Sequence, residues 1–133
     1  MDIQARIRVL IAEDDQGVRE ILASIVRAEP AFELAASVED ADQAIVAAAR
    51  ELPDVALVDV RMPGGGAMAA RGIKLRSPST GVLVFSAHDD RLTMQEMYAA
   101  GADGYVVKGS PVTTIIASIR DAAALGECER RAA

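Results

Sequence analysis

Val55-Ala56-Leu57-Val58-Asp59-Val60-Arg61-Met62-Pro63-Gly64-Gly65-Gly66 is the stretch around which the chain is organised. The first four residues, apolar and mostly β-branched or bulky, read as a strand buried on both faces, and the carboxylate of Asp59 stands at its tip. Asp in that place is ordinarily a turn residue that bonds its own downstream backbone. Here, however, three other apolar runs end in the same manner. Arg8 to Ala12 runs into Glu13, Asp14 and Asp15; Val82 to Phe85 ends in Ser86; Tyr105 to Val107 ends in Lys108. If the four runs are parallel strands, all of these groups leave one edge of one sheet, the edge where open α/β sheets keep their ligand sites.

Between the strands the apolar period changes from continuous to helical. Val18, Ile21, Leu22, Ile25 and Val26 recur at i, i+3, i+4, i+7 and i+8, which predicts a helix that stops before Pro30. Phe32 to Val38 is a weaker strand. Asp40 is placed to cap a second helix whose Ala41, Ile45, Ala48 and Leu52 form a narrow stripe ending at Pro53. A short third helix is expected from about Ala67 to Arg76, weakened by Gly72, which costs about 1 kcal/mol relative to Ala. The next runs from Asp89 to Ala99, and its Leu92, Met94, Met97 and Tyr98 do not fall on one clean face. After the Gly101-Ala102-Asp103-Gly104 turn and the last strand, Ser110-Pro111 opens a helix with Val112, Ile115, Ile116, Ile119 and Ala123 on one side, and Gly126 is expected to end it. Strand and helix alternate five times without a repeat or a linker. Such alternation implies right-handed crossovers and a doubly wound α/β domain with helices on both faces of a mostly parallel sheet.

A chain of 133 residues suits one domain with a real core. With 14 Lys+Arg against 20 Asp+Glu the net charge is -6, and there is no Trp, so neither a broad basic face for nucleic acid nor a stacking platform for bases is available. No apolar run approaches the roughly 18 residues that span a bilayer, and the amino terminus lacks a basic segment followed by a long apolar one. The expectation is a cytoplasmic protein that binds neither nucleic acid nor membrane. The single Cys128 lacks companions for a disulfide or a metal and reads as a bystander.

Glu13, Asp14 and Asp59 brought together repel one another, so the site must hold a proton or a hard cation. A few carboxylate oxygens on adjacent loops suit Mg²⁺, which keeps several waters and shares its shell with phosphate. With Lys108 included the four side chains sum to -2, the charge one Mg²⁺ neutralises. An arriving phosphate would meet the metal and the ammonium. Asp59 is then a candidate nucleophile toward a phosphoryl group, and Ser86 a hydroxyl able to donate to it.

These residues, taken in order, resemble the receiver domain of two-component response regulators. The likeness covers roughly residues 6 to 125. It rests on Glu13-Asp14 with Arg19 five residues after Asp14, Asp59-Val60-Arg61-Met62-Pro63-Gly64, Ser86-Ala87, and Ala100-Gly101-Ala102-Asp103-Gly104-Tyr105-Val106-Val107-Lys108. The resemblance implies a flavodoxin-like, three-layer α/β/α fold with a five-stranded parallel sheet of order 2-1-3-4-5. It implies Asp59 as phosphoacceptor, Asp14 and Asp59 as direct ligands of Mg²⁺ (or Mn²⁺) with the backbone carbonyl of Arg61, and Glu13 acting through water. Ser86 and Lys108 would bind the phosphoryl group, and Tyr105 would change rotamer with Ser86 on activation. Arg61 and His88, two residues beyond Asp59 and Ser86, border the water that hydrolyses the phosphoaspartate and would tune its lifetime. Asp15 falls one place past the acidic pair and is expected to cap the helix.

The resemblance departs from the family in three places, one of them a span from Asp59 to Ser86 that is a little short for the family. Gly64-Gly65-Gly66-Ala67 stands where a bulky residue, an Asp and a Gly are common, and Gly109 follows Lys108 where proline is frequent, which leaves the isomer of that peptide bond open. The implied function is a Mg-dependent switch, a phosphoacceptor that promotes its own phosphorylation and dephosphorylation and is not a conventional enzyme. Its partners would be a histidine kinase or phosphotransfer protein and a second copy, through Leu92, Met94, Met97, Tyr98 and the last helix. A phosphorylation-independent adaptor is the alternative, and the complete set of Glu13, Asp14, Asp59, Ser86 and Lys108 speaks against it. A flavodoxin-type electron carrier fits less well, because Glu13-Asp14-Asp15 would repel the flavin phosphate. A phosphatase with an aspartyl nucleophile would carry a second Asp where Arg61 stands. Residues 1–126 are expected to form the receiver and 127–133 a polar, frayed tail with no output domain. The sequence is silent on the kinase and the output.

Overall fold

The computed structural model describes residues 5–87 and 90–132, with side chains as far as Cys128. Each continuous apolar run is a strand and each periodic one a helix. In chain order these are β1 (Ile7–Ala12), α1 (Gln16–Ala28), β2 (Phe32–Val38), α2 (Ala41–Glu51), β3 (Val55–Val58), α3 (Gly66–Arg76), β4 (Gly81–Ser86), α4 (Arg91–Ala99), β5 (Gly104–Val107) and α5 (Val112–Ala132). The sheet has five strands in the order β2-β1-β3-β4-β5, all parallel. The doubly wound, flavodoxin-like architecture is the expected one.

Period-two alternation divides the strands between two cores. Leu10, Ala12, Ala56, Val58, Val82 and Val84 face α2, α3 and α4; Val9, Ile11, Val55, Leu57, Leu83 and Phe85 face α1 and α5. The first core is built largely of alanines, Ala41, Ala44, Ala47, Ala48, Ala69 and Ala70, which bring the helices close to the sheet. Gly72 belongs to that design. A Cβ there would lie 2.3 Å from Cδ1 and 2.5 Å from Cγ1 of Ile45, so the glycine that weakens α3 as a helix admits the neighbouring helix.

Several boundaries differ from the sequence expectation. The third helix starts at Gly66, one residue before its expected place, and α4 starts at Arg91 behind an Asp90 cap; Asp89 lies outside the described residues. Ile21, placed inward by its spacing, is 63% exposed, because α1 buries only Leu22, Ala23 and Val26 fully. Leu52 is not on the buried stripe of α2: it is the C-cap, left-handed at φ 47°, and 61% exposed. Met97 is core, 1% exposed, and therefore no part of a docking face.

The largest correction concerns Gly126. The last helix does not end there but continues to Ala132. A Cβ at Gly126 would lie 2.4 Å from both the Gly81 nitrogen and the Ser79 carbonyl oxygen, and one at Gly81 would lie 1.9 Å from the Ala122 oxygen. The two glycines let the helix backbone touch the start of β4. Gly126 is thus a contact residue within a helix, where the sequence suggested a terminator. Cys128 is exposed and free. Among the described residues no peptide bond is cis, so Lys108–Gly109 is trans, with Gly109 at φ 91°. No described helix is long and apolar enough to cross a membrane.

Candidate functional site

Strand register sets the level of the site. Val58 pairs with Ala12 on one side and Val84 on the other, so Glu13 and Asp59 leave the sheet together, and Asp59 N–H donates to the Ala12 carbonyl at 3.0 Å. The Glu13 N–H donates to Val38 O at 3.0 Å, which anchors the root of the acidic loop. Ser86 is paired with Val107 at the ends of β4 and β5, and Lys108 N–H donates to Ser86 O at 2.8 Å. Glycine closes the remaining side. A Cβ at Gly66 would come within 2.7 Å of the Asp59 carbonyl oxygen, and Gly66 N–H donates to Val60 O at 2.9 Å. The amino end of α3 therefore sits against the peptide of Asp59.

Carboxylate oxygens of Glu13, Asp14 and Asp59 all lie within 4.8 Å of one another. Glu13 and Asp59 are buried, whereas Asp14 is exposed at the mouth. The Lys108 ammonium reaches in from β5, 2.6 Å from Glu13 Oε1 and 3.5 Å from Asp59 Oδ1. Burial by itself pulls the Lys108 pKa down, but the hydrogen bond to Glu13 and the charges of Asp59 and Glu13 outweigh it and raise the pKa above its ordinary value. Glu13 Oε2 accepts from Asp15 N–H at 3.2 Å. Among the described residues the Lys108 ammonium is the one partner of the buried Oε1. An all-oxygen donor set of this kind fits Mg²⁺.

The other sequence candidates separate. Ser86 is buried at its strand end, and Tyr105 is half-buried on β5 against the core that packs α2, α3 and α4. Arg61 is exposed on the loop after Asp59. His88 lies outside the described residues. Asp15 caps α1, its Oδ1 accepting from Val18 N–H at 3.0 Å, and so stands apart from Asp14 in role as expected.

Two arrangements escape sequence reading. Lys74 on α3 lies 2.7 Å from Asp103, whose Oδ2 also accepts from Val82 N–H at 2.8 Å, so a largely buried ion pair ties α3 to the turn before β5. Arg19, legible only as a register mark, donates to the carbonyl oxygens of Glu13 (2.8 Å) and Asp14 (3.4 Å). A separate cavity of about 360 Å³, lined by Arg6, Asp54, Ser79 and Arg120 among others, shares no residue with the carboxylate cluster.

Fold and site together define a doubly wound α/β protein with an acidic, lysine-bearing cleft at the carboxyl ends of its strands. The response regulator receiver domain matches residues 9–120, and the chain belongs to that family. It is 34% identical over 116 residues to the transcriptional regulatory protein DegU of Brevibacillus brevis, a span of 86% of this chain and 49% of that protein. It is 31% identical over 119 residues to a probable transcriptional regulatory protein NarL of Mycobacterium tuberculosis, covering 89% of this chain and 55% of the relative. The solved receiver domain of the putative response regulator NarL from Mycobacterium tuberculosis superposes with a TM-score of 0.86 at 31% identity, over 91% of this chain and 98% of that one. The chain spans about half the length of the curated relatives it matches.

Proposed function

We propose that this receiver is a phosphorylation switch that takes a phosphoryl group onto Asp59 from a histidine kinase or phosphotransfer protein. The observation that carries it is the Lys108 ammonium lying between buried Glu13 and Asp59, with Asp14 completing three carboxylates within 4.8 Å. A carboxylate kept buried beside a lysine and two more acids is costly unless an incoming group uses those charges. In the transfer a carboxylate oxygen of Asp59 attacks phosphorus, a P–O bond forms, the P–N bond to the donor imidazole breaks, and its electron pair leaves on the ring nitrogen. Lys108, already within reach of Asp59, moves its ammonium to a phosphoryl oxygen. Ser86 donates its hydroxyl to another, and Tyr105 follows into the space that Ser86 vacates. Glu13, Asp14 and Asp59 would hold Mg²⁺ (or Mn²⁺), Asp14 and Asp59 directly with the Arg61 carbonyl and Glu13 through water; bound there, the ion offsets the negative charge of the phosphoryl oxygens. Exposed Arg61 screens the phosphoaspartate from water and lengthens its life.

Intact mass after incubation with acetyl phosphate and Mg²⁺ tests this reading. Wild type should gain one phosphate and Asp59→Asn none. An unmodified wild type, under conditions that label other receivers, would favour an adaptor that signals by binding alone.

A further inference from the structure

We infer that Arg19 is a positioning residue for the cation site: its guanidinium fixes the backbone on both sides of Asp14 and so aims that carboxylate at Asp59. This inference rests on the metal-site reading above.

Arg19 lies in the first turn of α1, and helical side chains lean toward the amino end, which carries the guanidinium back over the acidic loop. There Nη1 donates to Glu13 O at 2.8 Å and, more weakly, to Asp14 O at 3.4 Å. Beyond the end of β1 these carbonyls have left the sheet ladder. On the far side Nη2 stands 3.8 Å from a Glu39 carboxylate oxygen, in the loop that joins β2 to α2. The Arg19 side chain is mostly buried while that of Glu39 is largely exposed, so the carbonyl contacts are the stronger anchor.

Asp14 needs such an anchor. It is the exposed member of the triad, and among the described residues its carboxylate has no hydrogen-bond or ion-pair partner of its own. Glu13 is held by Lys108 and the Asp15 N–H, and Asp59 is held at its strand end. Only the backbone directs Asp14, and Arg19 holds both peptide planes that flank its Cα. Nη1 carries both carbonyl contacts while Nη2 turns toward Glu39, a spread in one plane that a single ammonium does not reproduce in the same fixed geometry.

The sign of the effect separates positioning from simple charge. A nearby cation repels a metal, so if Arg19 acted only through its field, removing it would tighten binding. Positioning requires the reverse. Mn²⁺ affinity, read from the spectroscopic signal of the free ion, should fall about tenfold in Arg19→Ala, the size expected when a group supporting a metal ligand is lost. Arg19→Lys should fall between, and Glu39→Gln should change little. Thermal unfolding in chelator should show Arg19→Ala folded, which separates lost aim from lost structure. Arg19→Ala binding as tightly as wild type, or more tightly, overturns the inference. Should that variant not fold, Arg19→Lys decides, and wild-type affinity there has the same meaning. If wild type takes no Mn²⁺, or Asp14→Ala takes it equally well, the cation site itself falls, and the role of Arg19 falls with it.

Discussion

Asp14 and Asp15 are neighbours in sequence with different work to do. Asp14 faces the acidic cluster, and Asp15 spends its carboxylate on Val18 N–H at the start of α1. Asp14→Ala should therefore abolish most Mg²⁺ binding, while Asp15→Ala should cost a helix cap, about 1 kcal/mol of stability, with the metal retained. Calorimetric titration of the two variants, together with denaturant unfolding, checks both halves, and the reverse ranking would exchange their assignments. Lys108 supplies a pH signature. Its folded pKa is raised, so its ion pairs contribute fully below the unfolded value of about 10.5 and are lost as the pH climbs through the folded one. In chelator, wild type should accordingly lose stability more steeply than Lys108→Met above about pH 10.5. Parallel alkaline slopes for the two proteins would mean that the pair contributes nothing to folding.

At the scale of elements, glycines decide how closely helices approach their neighbours. Within a helix Gly is the weaker choice, and Ala in its place ordinarily stabilises by about 1 kcal/mol. Gly126→Ala should do the opposite, destabilising by about 1–3 kcal/mol, because the added methyl would enter the backbone of Ser79 and Gly81. Urea unfolding of the single variant measures the sign, and a stabilised protein would show that α5 can stand off from β4 without loss. Gly72 has the same logic with a side chain, that of Ile45, as its obstacle. Neither glycine could be assigned its role from the sequence. One-dimensional pattern records what a residue does to its own helix and not what lies across from it.

For the whole molecule, the question is which surface answers the site. The family resemblance points to α4, β5 and α5, and the structure sorts their apolar residues. Leu92 is 77% exposed and Tyr98 is also on the surface, whereas Met97 packs in the core. Met97→Ala should cost about 2–5 kcal/mol of stability, and Leu92→Ala should stay within about 0.5 kcal/mol while weakening phosphorylation-dependent self-association. Sedimentation before and after beryllofluoride, with hydrogen exchange over the same elements, tests the assignment. Exchange that changed only in α1 would place the responsive surface elsewhere.

The order of strands and helices, the two-sided burial of the sheet and the gathering of Glu13, Asp14, Asp59, Ser86 and Lys108 at one edge were legible in the chain itself. The reason is that strand ends and apolar period are local properties, and parallel alternation leaves few ways to arrange them. Tertiary structure alone decided that Ile21 and Leu52 stay outside, that α5 runs through Gly126, that Lys74 pairs with Asp103, and that Arg19 braces the acidic loop. Each of these depends on the distance between segments remote in sequence or on the direction a side chain takes across a turn. Hydrophobic spacing names the face a residue belongs to, but the neighbours packed against that face determine how much of it is covered.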